Sequence, residues 1–171
     1  MKRFKLLALV MAAAAVPAAA GAAVPPPDVP SGIAVTGHEK PFLATHAEGV
    51  QIYACRAGAW VLVAPRAVLY GENGKKIADH FGGPTWQATD GSSVVGKRVD
   101  GVTVDPGAIQ WLLLSATPLA GSAGDRLAGT THIQRINTKG GLAPAAADCV
   151  AEGAQVEIPY TADYVFWKPT S

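Results

Sequence analysis

The segment "GENGKKIADHFGGPTWQATDGSSVVGKRV", Gly71 to Val99, decides the fold. Two dipeptides, Asn73-Gly74 and Asp90-Gly91, each stand between short apolar-polar runs. Asn, Asp and Gly accept the positive φ that tight two-residue hairpin turns demand, so both are hairpin corners. Between them Gly82, Gly83 and Pro84 interrupt the chain, which is again what a turn needs. The runs "KKIADHF", "TWQAT" and "SSVVGKRV" therefore read as three antiparallel strands. Ser92 and Ser93 beside the second corner are ordinary turn chemistry. They belong to no GxSxG elbow that would make either a nucleophile.

The same pattern extends in both directions. In "GVQIYAC", Val50, Ile52 and Ala54 alternate with Gln51, Tyr53 and Cys55, a period of two. "AWVLVAP" and "RAVLY" follow. Downstream, "AIQWLLLSATPL" has a continuous apolar run that fits a strand buried on both faces, with a single buried helix as the alternative. "THIQRINT" alternates again, placing Arg135 and Asn137 on one face and His132, Gln134 and Ile136 on the other. "AQVEIPY" and "DYVFW" close the chain, with Tyr160, Tyr164 and Phe166 in register as structural anchors. This amounts to roughly nine or ten short strands, and no run beyond about ten residues has helical periodicity. The expected fold is all-β: a single-domain antiparallel β-sandwich or a partly closed barrel. Trp60, Trp86, Trp111 and Trp167 each fall in a strand and are expected to fill the layer between sheets.

The first residues point to export. Lys2, Arg3 and Lys5 precede the apolar stretch Leu6 to Ala15, then Pro17 and a run of small residues. That is a secretory signal peptide over residues 1–23, with Ala-x-Ala-type cleavage near Ala20–Ala23. A proline-rich leader and the segment feeding the domain occupy 24–48, and the β domain 49–171. The apolar run is too short to span a bilayer, so no stable membrane insertion is expected after cleavage. Removing three basic residues leaves 11 Lys and Arg against 13 acidic residues, a net charge of −2. With no basic block, nucleic acid is a poor partner. The two cysteines, Cys55 and Cys149, are widely spaced, which in an exported chain reads as a structural disulfide.

Together the blocks "GVQIYAC…W", "GKKIADHFGGPTW…DGSSVVGK", "IQWLLLSA", "THIQRINTKGGLAP…C" and "VEIPYTADYVFW" resemble the family called domain of unknown function 3455 (DUF3455). It comprises exported proteins of bacteria and fungi. The likeness runs from about Gly49 to Trp167 in consistent order. It implies no reaction, because the family carries no assigned activity. A malate dehydrogenase label found on some fungal relatives would require a strand–GxGxxG–helix site, and the chain has none.

The side chains offer few constellations. His38, His46, His80 and His132 lack HxH or HExxH spacing, and Asp79 and His80 point to opposite sheet faces, so no metal and no cofactor is expected. Asp100 and Asp105 flank "GVTV" without marking a glycosidase pair. The residues best suited to a ligand are His80, Trp86, His132 and Arg135, which offer stacking and forked hydrogen bonds to a small molecule or glycan. The leading expectation is a secreted or periplasmic binding or structural module. The alternative is an extracytoplasmic enzyme, a hydrolase, using His80 or His132 as base.

Overall fold

The computed structural model describes residues 23–170. The signal peptide expected over 1–23 therefore lies, except for Ala23, outside the described residues. Eight strands follow in order: β1 (Glu39–Arg56), β2 (Ala59–Tyr70), β3 (Lys76–Phe81), β4 (Thr85–Ala88), β5 (Ser93–Val102), β6 (Trp111–Pro118), β7 (His132–Gly140) and β8 (Gln155–Pro169). Each pairs antiparallel with its sequence neighbour, and β8 pairs back onto β1 from Glu39–Pro169 to Ala54–Gln155. The sheet is thus a closed barrel. Among the described residues the only helical pieces are two 3₁₀ turns, Ser31–Ile33 and Ala146–Asp148.

The hairpin corners fold as their chemistry requires. Gly74 and Gly91 have φ of +71° and +89°, and Gly91 N–H bonds the Ala88 carbonyl at 2.9 Å. The strand count is lower than nine or ten because "AWVLVAP" and "RAVLY" run on as the one strand β2, and "AQVEIPY" and "DYVFW" as the one strand β8, with Pro65 and Pro159 inside them. Pro65 pairs with Gln51 but stands beyond the β2–β3 ladder, which starts at Ala67. Pro159 pairs with Val50 and stands beyond the β7–β8 ladder, which ends at Gly140–Tyr160. A missing N–H costs nothing where the second neighbour is absent. The first strand also begins at Glu39 rather than Gly49, because its pairing with β8 continues down to Pro169.

Alternate residues of each strand face the barrel interior. Small ones (Ala47, Ala67, Ala78, Ala116 and Ala162) make room for Trp86, Tyr164 and Phe166, all essentially without exposure. The four tryptophans do not share one layer, since a single closed sheet has no inter-sheet layer. Trp86 is inside, while Trp111 and Trp167 pack on the outer face against Ile33, Leu113 and Val165. The leader lies over that outer face: Gln134 Nε2 donates to the Ile33 carbonyl at 2.7 Å, and Trp167 Nε1 donates to Gln134 Oε1 at 2.8 Å.

One barrel end is closed by the β6–β7 connection, which inserts Leu127 into the core. Asp90 fastens it. Its carboxylate accepts from Ser92 Oγ at 2.6 Å and from the Arg126 and Asp125 N–H groups at 2.8 and 3.0 Å. These bonds, the Ser92 hydroxyl foremost, hold the Asp90 carboxyl well below the usual carboxylate range. At the other end, Cys55 and Cys149 are bonded, with their Cα atoms 5.2 Å apart.

Candidate functional site

The barrel wall is uneven, and this makes an opening. β1 and β2 have 18 and 12 residues, whereas β3 and β4 have six and four. Above the short β3–β4 hairpin a notch is left between Leu62–Pro65 of β2, the Gly83-Pro84 turn, and Lys97 and Arg98 of β5. The notch and the interior space behind it, walled by Gln51, His80, Trp86, Leu112, Leu114, Arg135 and Tyr164, together form one cavity of about 410 Å³. Gly96 lets the tryptophan lie flat on the wall, since a Cβ there would come within 2.8 Å of Trp86 Cζ3.

His80 stacks on Trp86, with ring centroids 4.2 Å apart and planes at 10°. Tyr164 meets both rings edge-on, at 5.3 and 5.5 Å. His80 Nδ1 donates to the Thr85 carbonyl at 2.9 Å, which fixes the neutral tautomer and leaves Nε2 as a lone-pair acceptor. Burial pushes the His80 pKa down to about 3, with the Arg135 charge adding to the effect and the Thr85 bond opposing it. Burial likewise raises the Tyr53, Tyr160 and Tyr164 hydroxyls, so they stay protonated.

Two arginines of this cavity are held by one glutamine. Arg135 Nε and Nη2 both donate to the Gln110 carbonyl, at 3.2 and 2.9 Å, and Arg98 Nη2 donates to Gln110 Oε1 at 3.0 Å. One glutamine thus aims two arginines with neutral oxygens. Gln51 Nε2 and Trp86 Nε1, on side chains 2% and 1% exposed, have no hydrogen-bond partner.

A family model described as a protein of unknown function (DUF3455) matches residues 35–168. The chain belongs to that family. The matched DUF3455 region holds every residue of the cavity, and it starts after the proline-rich part of the leader. No curated protein and no solved structure matches the chain.

Of the four ligand-binding candidates, this DUF3455 barrel brings together His80, Trp86 and Arg135. His132 is not with them. It faces outward beside Trp167, where Nδ1 meets Glu39 Oε2 at 2.9 Å. The two histidines are therefore on opposite sides of the wall and cannot serve one reaction centre. Arg135 pairs with neither Asp163 nor Glu157, whose partners are His46 and Arg66. Asn137 was expected on the Arg135 face, but its φ of +52° turns it outward, and Nδ2 donates to Asp163 Oδ2 at 2.8 Å. Ser92 Oγ is engaged by Asp90 and by the Leu127 N–H. Among the described residues no three His, Cys, Asp or Glu side chains gather to hold a metal. Gln51, Arg98, Gln110 and Tyr164 were not singled out as site residues. For Gln51 the signal was its alternation with Tyr53 and Cys55, but for Gln110 none existed.

Proposed function

We propose that this DUF3455 protein is an exported binding module whose barrel interior holds a small, largely apolar molecule. The observation that carries this reading is the cavity itself: about 410 Å³ of space, lined mainly by apolar side chains, that opens to the outside through the notch above the β3–β4 hairpin. A cavity of this size and apolar lining suits a small ligand better than a glycan, which needs an accessible stacking face. Trp86 already carries His80 on one face. The hydrolase alternative is less well supported, because His80 gives its Nδ1 proton to a main-chain carbonyl and no carboxylate orients it.

Binding of anilinonaphthalene sulfonate, a fluorophore with an apolar aromatic body and a sulfonate anion, tests the cavity. The wild-type chain should bind about one equivalent, and Ala64→Trp, which fills the notch, should weaken binding by about tenfold or more at an unchanged melting temperature. Equal binding by both would remove the cavity as the site. Export rests on the basic, then apolar, then small-residue start and on the disulfide. Amino-terminal sequencing of protein recovered outside the cytoplasm should find a start near Ala20–Val24. An intact Met1 there would refute cleavage.

A further inference from the structure

Three basic residues line the cavity and its notch, Lys97, Arg98 and Arg135, and no acidic one does. Among the described residues none of the three has a carboxylate partner, although Arg66 and Lys76 elsewhere both do. We infer that the cavity selects an apolar monocarboxylate, its carboxylate on Arg135 and its hydrocarbon body along Leu112, Leu114 and Trp86. This rests on the binding reading above and adds the chemistry of the ligand.

The hydrogen bonding at Arg135 leads to that ligand. Nε and Nη2 converge on a single oxygen, the Gln110 carbonyl, so one edge of the guanidinium is used, and the group's other partner is the neutral Tyr164 hydroxyl. A carboxylate matches a guanidinium edge with two parallel bonds. Holding an arginine by a carbonyl fixes its direction while leaving its charge uncompensated, and a partly buried cation without a counter-ion is unfavourable until an anion arrives. Its field reaches the neutral groups around it, since it acts on Tyr53, His80, Tyr160 and Tyr164. An alcohol would leave the Arg135 charge bare, and an amine would be repelled by it. Lys97 and Arg98 at the notch would draw an anion toward the opening.

Calorimetric titration with decanoate, decanol and decylamine tests this. Decanoate should bind the wild-type chain about tenfold or more tightly than decanol, and decylamine should not bind. Arg135→Gln should bring decanoate down to the level of decanol and leave decanol unchanged. The wild-type ranking decides even if Arg135→Gln fails to fold. Equal affinity for decanoate and decanol, or preference for decylamine, overturns the carboxylate while the cavity remains a binding site. Silence from all three with anilinonaphthalene sulfonate still bound also overturns it. Loss of that fluorophore's binding too would sink the binding reading itself.

Discussion

Removing the Cys55–Cys149 bond should lower the unfolding free energy by about 4–5 kcal/mol, the largest effect expected of any local change. The bond spans 94 residues, so its loss frees a long loop in the unfolded chain, and loop-closure entropy grows with that length. It also acts on the folded side. It ties the β7–β8 connection to the end of β1, where Tyr53 Oη donates to the Gly141 carbonyl at 2.6 Å. A Cβ on Gly141 would sit 3.3 Å from Gln51 Cγ, so this connection packs directly on a cavity residue. Urea unfolding of the wild-type protein, with and without reductant, and of the Cys55→Ala/Cys149→Ala pair measures the effect. Reduced protein and the double variant should lose similar amounts, and both should unfold with a steeper denaturant slope, because an unlinked chain exposes more surface. A loss below about 1 kcal/mol in both would show that the bond constrains nothing the barrel has not already fixed.

Parts of this architecture were legible in the sequence for local reasons, and the rest was hidden because it is not local. Asn73-Gly74 and Asp90-Gly91 announce β2–β3 and β4–β5 because positive φ is a property of the residues themselves. Closure is different. It depends on β1 meeting β8 across more than a hundred residues, and alternation of apolar and polar residues reads alike in a sandwich and a barrel. The continuity of β2 and β8 was hidden for the same reason: whether Pro65 or Pro159 can sit inside a strand depends on whether a second neighbour needs its N–H. In the site, parity carried more information than residue type. His132 and Arg135 are three apart on one strand and so face opposite ways. Grouping them by chemistry put one member on the wrong side of the wall. Gln110 was invisible because the oxygen that holds Arg135 is its main-chain one, which every residue carries; only its hold on Arg98 needs the glutamine side chain.

Acid should destabilise this protein well above the range where carboxylates titrate, and His80 should be the cause. An unfolded histidine titrates near 6.5, whereas burial brings the folded value to about 3. The folded state therefore refuses a proton that the unfolded state accepts, and stability falls as pH drops from about 6.5 towards 3. At about 1.4 kcal/mol per unit, the loss between pH 7 and pH 5 is roughly 2 kcal/mol, and by pH 4 roughly 3 kcal/mol. The group has nowhere to escape. It is 3% exposed, stacked between Trp86 and the edge of Tyr164, and the nearby fixed charge is the cation of Arg135. Urea unfolding at pH 7, 5 and 4 reads the slope, and His80→Phe separates this group from the carboxylates. Phenylalanine keeps the stack on Trp86 but cannot take a proton, so its stability should be nearly flat between pH 7 and 5 while the wild type declines. Parallel declines in the two proteins would mean that His80 is solvated, and with it the cavity floor that the bound molecule is held to occupy.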